Sequence, residues 1–174
     1  KSLTNIVTPA SVTSIGDKAF CACTSLASIV IPASITIIGQ DAFSLCRKLK
    51  EVQGILPLIR GGCKVHATTL TWLLENIWNG PGFLSEIAQV YLTNPGKTVN
   101  QICERRLHDN YGASADVMFG LIGANKSNTS ALKMIATFAL SCGEKLPREK
   151  LIAIYKALKA IGAKPALDLL EKAV

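Results

Sequence analysis

Charge is scarce in this sequence and aromatic residues are scarcer: Asp, Glu, Lys and Arg make up 18% of the 174 residues, and Phe, Trp and Tyr 6%. So little charge beside 49% hydrophobic residues excludes a disordered chain and supplies core for one large or two small domains. The shortage of aromatics removes the stacking platforms on which single-stranded nucleic acids lie. Long apolar runs are missing too, so no segment reads as a membrane-spanning helix. No basic-then-apolar leader opens the chain, and the first residues, Lys1-Ser2-Leu3, lack an initiator Met. This start reads as a cut from a longer protein.

The formal charge is +7. Its carriers in the C-terminal half (Lys97, Arg105, Arg106, Lys126, Lys133, Lys145, Arg148, Lys150, Lys156, Lys159, Lys164, Lys172) are dispersed, with no solid basic block. Dispersion favours a solvated surface over a nucleic-acid or acidic-lipid footprint. The six cysteines do not form a disulfide framework. Cys21-x-Cys23 lacks the second pair that a zinc site needs, and His66, near Cys63, lacks further ligands. The expectation is therefore no metal and no cofactor. Reduced, buried thiols fit a reducing compartment (cytoplasmic, or delivered into a host cytoplasm), with the cell surface left open.

What the sequence does contain is a repetition. Residues 7–29 and 30–52 superpose at a spacing of 23: Pro9 falls on Pro32, Ser11 on Ser34, Ile15-Gly16 on Ile38-Gly39, Ala19-Phe20 on Ala42-Phe43, Cys23 on Cys46 and Leu26 on Leu49. A fixed period of this length marks stacked supersecondary units. Apolar residues alternate at Ile29 and Ile31 as in a short strand, which Pro32 ends. Gly16 and Gly39 fall where a tight corner would need a residue without Cβ. The rings of Phe20 and Phe43 are expected to stack, and Cys23 to stack on Cys46.

The run Ile29–Leu49, with Ile31-Pro32-x-Ser34-Ile35-x-x-Ile38-Gly39-x-x-Ala42-Phe43-x-x-Cys46-x-x-Leu49, flanked by residues 9–26 and led by Leu3-x-x-Ile6, resembles the BspA-type (Treponema pallidum-like) leucine-rich repeat. The resemblance covers about 50 residues; it departs at Thr8, where the strand should be apolar, and at Gln53-Gly54, where strand and proline are replaced. It implies a curved solenoid with a parallel sheet on its concave face, used to bind proteins or surface ligands. Asn5, Val7, Ser28, Val30, Glu51 and Gln53, which alternation turns away from the core, are the candidate binding residues. The array is expected to end at Gly54. Two repeats bury too little to stand alone, so either further repeats precede Lys1 or the helical half caps the last one.

Residues 55–66 hold Pro57 and Gly61-Gly62 and read as a cap or linker. From residue 67 the apolar period becomes helical. Helices are expected at 69–79 (capped by Thr68 or Thr69), 83–93 (stopped by Asn94-Pro95-Gly96), 98–110, 114–123 (capped by Ser114), 129–141, 147–161 (stopped by Gly162) and 165–173. The fold class is thus α+β: a short leucine-rich-repeat β-solenoid segment (1–54) followed by an all-α helical bundle (67–174). Residues 150–170 also resemble the closing segment of a death-fold domain, which implies homotypic association.

Catalytic constellations are poor. Ser130-x-x-Lys133 lacks its companion motifs. Cys103 and His108 stand roughly 140° apart on a helix, with Asp109 beside them. The Asn-x-Ser matches to a glycan acceptor, Asn125-Lys-Ser127 and Asn128-Thr-Ser130, read as a polar turn and cap. The expectation is a non-catalytic protein-interaction module, as in an effector or surface protein, with Arg105 and Arg106, and also Trp72, Trp78 and Tyr91, as helical contact candidates. The alternatives are an enzyme whose site gathers Cys103, His108 and a carboxylate, with the repeats recruiting substrate, and a nucleic-acid or acidic-lipid binder acting through the basic helical half. The partner's identity and the oligomeric state are not encoded in any motif.

Overall fold

The computed structural model describes residues 4–93 and 96–171. Leu3, the Asn94-Pro95 stop and Ala173 lie outside the described residues. The repeats build two small parallel sheets. β1 (Asn5–Val7), β3 (Ser28–Val30) and β5 (Glu51–Gln53) form one; β2 (Ser14–Ile15), β4 (Ile37–Ile38) and β6 (Lys64–Val65) form the other. In the first, Asn5 pairs with Ser28 and Ser28 with Glu51, so the 23-residue spacing of the sequence is the step from strand to strand. Between the sheets lie Leu26, Ile29, Ile35, Ile38, Phe43 and Leu49, all buried, each side chain stabilising the fold by about 1.5–3 kcal/mol over its exposed state. The Phe20 and Phe43 rings stack at 5.8 Å with their planes 2° apart.

The corners are made differently from the expectation. The left-handed residues are Lys18 and Ala22 in one repeat and Asp41 and Leu45 at the equivalent positions of the next. Backbone bonds from Lys18 N to Gln40 O, Phe20 N to Ala42 O and Ala22 N to Ser44 O hold the strained segments in step. Gly39 is required for another reason: a Cβ there would collide with Asp17 and with the Gly16 backbone. The glycine lets one repeat lie directly against its neighbour.

The stacking also runs on past Gly54. Gly54 has φ 86, and a Cβ on it would strike the Ile31 carbonyl oxygen. It starts α1 (Ile55–Arg60), which stands where the earlier repeats have their Pro-x-Ser corner. Pro57 is tolerated because it lies in the first turn, where the N–H has no helical partner. β6 then pairs with β4, Lys64 opposite Ile37 and Val65 opposite Ile38. The stretch expected as a cap or linker thus covers the second repeat by continuing the stack as a third, modified one. α2 (Ala67–Asn76) closes it. The buried Thr69 hydroxyl accepts from Ala42 N (3.2 Å) and donates to Gly39 O (2.7 Å), and Thr68 Oγ1 accepts from Asp41 N (3.1 Å). The Trp72 ring lies 6.3 Å from Phe43, extending the aromatic column. Neither threonine is the N-cap. His66 caps α2, its ring nitrogen accepting from Thr68 N and bonding with Thr68 Oγ1 at 3.0 Å, so the Thr69 hydroxyl serves the repeat alone while that of Thr68 serves both cap and repeat.

The chain divides into two compact units, Lys1–Asn79 with Pro95–Ile102, and Gly80–Asn94 with Cys103–Val174, where the sequence suggested repeats over 1–54, a cap or linker over 55–66 and a helical domain over 67–174. The second unit is helical: α3 (Leu84–Leu92), the end of α4 (Lys97–His108), α5 (Tyr111–Leu121), α6 (Thr129–Ser141), α7 (Arg148–Ala160) and α8 (Lys164–Leu170). α6 packs on α8, α3 on α5, and α7 on α8. The buried sides carry Ile87, Val90, Leu132, Ile135, Phe138, Ile154, Leu158 and Leu170. Ser114 was expected to cap a helix; α5 instead begins three residues earlier, and the buried Ser114 hydroxyl donates to Leu107 O at 2.7 Å. Gly162, with φ 68, ends α7 as expected.

Candidate interaction face

Alternation along three parallel strands puts every second residue on the outside of the first sheet. Asn5, Ser28 and Glu51 form one row there, and Val7, Val30 and Gln53 another, with the buried Ile29 and Val52 between them. All six candidates from the sequence thus share one face. Its side chains are partly fixed before any ligand arrives. Ser28 Oγ donates to Asn5 Oδ1 at 2.8 Å, and Gln53 Nε2 donates to Glu51 Oε1 at 2.6 Å. Beside these polar pairs Val7 is 74% exposed, a large apolar cost to leave in water. The face thus offers an apolar patch flanked by ordered acceptors and donors, one carboxylate among them.

The second sheet has its own outward row, Ser14, Ile37 and Lys64, with Ile37 49% exposed. Sequence analysis did not single it out, because in Ile37-Ile38 two adjacent isoleucines hide which one faces out. The repeat comparison held the signal: Ile37 stands where the preceding repeat has Ser14. A cavity of ≈ 410 Å³ opens on the same compact unit, where α1 diverges from the corner of the preceding repeat; Ile31, Ile35, Pro57, Leu58 and Cys63 line it. Burial pushes the Cys63 thiol above its usual pKa. It does the same to Cys46, whose Sγ donates to Phe20 O at 2.9 Å.

The helical candidates fare unevenly. Arg105 is exposed, and Arg106 is half-buried with its Nε lacking a hydrogen-bond partner among the described residues. Trp78 and Tyr91 are buried at 3% and 2% exposure, so neither can serve as a contact anchor; their apolar bulk is core. The Tyr91 hydroxyl donates to Glu104 Oε1 at 3.1 Å, and burial with that carboxylate drives its pKa up. Trp72 is half-buried against Phe43.

The catalytic constellation is not assembled. Cys103 is fully buried, its pKa pushed up to about 12 by desolvation and by Glu104, so its thiol is neutral and inert at physiological pH. His108 Nε2 bonds instead with Ser141 Oγ at 2.9 Å, and its ring packs on Tyr111 and Phe138. Ser130 and Lys133 are exposed on α6, and Asn128 caps that helix by accepting from Ala131 N. Among the described residues no group of three or more His, Cys, Asp or Glu could hold a metal ion, and no helix is long and apolar enough to cross a membrane.

Comparison with known proteins agrees with the geometry of the repeats. Residues 1–55 match the family model of the BspA type leucine rich repeat region (6 copies). No curated protein and no solved structure matches. Strand register, stacked phenylalanines and family model coincide over the same stretch, and residues 1–55 are a BspA-type leucine-rich-repeat region.

Proposed function

We propose that the chain is a non-catalytic protein-interaction module, a short leucine-rich-repeat solenoid joined to a helical bundle, and that it recognises its partner through the outer face of the first sheet. The observation that carries this reading is the gathering of Asn5, Val7, Ser28, Val30, Glu51 and Gln53 on one face, with Val7 74% exposed beside two preformed polar pairs. Leucine-rich repeats are interaction modules as a class, and the family match points the same way. Rigid strands present these side chains at little entropic cost, and an exposed valine flanked by ordered polar groups suits a partner surface with an apolar centre and a polar rim. The burial of Cys103 removes the residue on which a catalytic alternative depended.

The test compares capture by the whole chain with capture by Val7→Lys and Val30→Lys variants, and by Ile37→Lys as a control on the other sheet. A partner that is lost from the first two and kept by the third supports the reading. Full retention by Val7→Lys and Val30→Lys refutes it.

A further inference from the structure

Where α2 closes the third repeat, a second cavity of ≈ 380 Å³ opens within the first compact unit, lined in part by Ser44, Leu45, Arg47, Lys50, Trp72 and Asn76. Arg47 and Lys50, both exposed, are among its lining residues, no acidic residue is, and neither cation is held in an ion pair among the described residues. The repeat itself does not call for these charges. At the equivalent positions of the preceding repeat, 23 residues earlier, stand Thr24 in place of Arg47 and Ala27 in place of Lys50, on a backbone with the same left-handed corners at Ala22 and Leu45. Trp72 meets Phe43 with ring centroids 6.3 Å apart and planes tilted by 40°, so that neighbour does not cover its ring face to face. Asn76 is anchored by donating to Trp72 O at 2.9 Å, which steadies the wall.

We propose that this cavity is a binding site for a phosphate monoester that carries an aromatic ring. A guanidinium grips a phosphate through two parallel N–H bonds, and an ammonium adds a point charge beside it. Together they match the roughly −1.5 to −2 charge of a phosphate monoester at neutral pH better than the single charge of a carboxylate. Trp72 offers the ring a stacking wall. The volume falls in the range of small-ligand sites, about 300–1,000 Å³. The shared chemistry has two sources, a phosphorylated tyrosine side chain of a partner and a free nucleoside monophosphate.

The experiment titrates the whole chain with phenyl phosphate, reading Trp emission and heat of binding, with adenosine monophosphate, inorganic phosphate and phenol as parallel ligands. The site predicts saturable one-to-one binding of phenyl phosphate, at least about tenfold tighter than inorganic phosphate or phenol, since each lacks half of the recognised group. Arg47→Gln and Lys50→Gln should each weaken it by about tenfold or more, while Lys48→Gln, one residue away and outside the cavity lining, should leave it unchanged. Circular dichroism melting shows whether each variant keeps its fold, and Arg47→Lys, which retains the charge but not the fork, should bind at an intermediate level. Binding of phenyl phosphate but not adenosine monophosphate supports the site with a phosphotyrosyl source; equal binding of both supports it with a nucleotide source. Absence of saturable binding by either, or equal weakening by Lys48→Gln and Lys50→Gln, overturns it.

Discussion

Replacing Gly39 by Ala in one variant and Gly16 by Ala in another adds the same methyl group at equivalent positions of successive repeats. At Gly39 the new Cβ would lie 2.5 Å from Asp17 N and 2.7 Å from the Gly16 carbonyl carbon. These are backbone atoms, so no side-chain rotation relieves the clash, and the two repeats must move apart by about 1 Å. That movement strains the bonds from Gly39 N to Ile15 O (2.8 Å) and from Gln40 N to Asp17 Oδ1 (2.7 Å). Overpacking costs about 1–3 kcal/mol and each weakened bond about 1 kcal/mol, so Gly39→Ala should destabilise by about 3–5 kcal/mol. For a chain this long the melting temperature falls by about 2–4 °C per kcal/mol, hence by about 6–20 °C. At Gly16 a Cβ meets nothing within 4 Å among the described residues. The conformation there is open to any residue, so Gly16→Ala should be neutral or stabilise by up to about 1 kcal/mol by restricting the unfolded chain. Thermal and urea unfolding followed by circular dichroism measure both. If the two variants agree within about 0.5 kcal/mol, Gly39 is not the contact point between repeats and the stacking geometry is refuted.

Thr8 stands where the next repeat has Ile31, and its buried hydroxyl has no hydrogen-bond partner among the described residues; Thr8→Val should raise stability by about 1 kcal/mol, read as a higher urea midpoint at unchanged slope. Thr69→Val removes the hydroxyl that joins α2 to Ala42 N and Gly39 O. It should cost about 2–4 kcal/mol, and no loss would mean that α2 does not close the third repeat. Cys103 should resist thiol reagents at pH 8 in the folded chain and react on unfolding. Its folded pKa lies above the unfolded one, so the stability it contributes is complete below about pH 8.5 and is lost as pH rises toward 12. Melting between pH 8 and 11 should show that fall, and it should be smaller in Cys103→Ala.

The repeat was legible because each of its features depends on a spacing that the sequence displays directly. The step from Asn5 to Ser28 to Glu51, the stacking of Phe20 on Phe43 and the six residues of the outer face follow from one period and from strand alternation. The third repeat was hidden because its markers point elsewhere. Pro57 and Gly61-Gly62 look like punctuation, α1 has too few residues to show a helical period, and Lys64-Val65 is too short to alternate. Competition between capping groups was equally invisible. His66 caps α2 and leaves Thr69 to the neighbouring repeat, with Thr68 shared between the cap and the repeat, while Ser114 turns inward to Leu107 O. Which polar group wins such a contest depends on what packs beside it, and sequence spacing carries no record of that. Arg47 and Lys50 did carry a signal, their contrast with Thr24 and Ala27 one period earlier.

The role of the outer strand face is tested most directly by photo-cross-linking. A photoreactive amino acid is placed at position 7, whose native valine is 74% exposed, or at position 37, whose isoleucine is 49% exposed on the other sheet. The account predicts that a captured partner cross-links from position 7, that Val30→Lys abolishes the product, and that position 37 gives none. Cross-linking from position 37 alone, untouched by Val30→Lys, would contradict it.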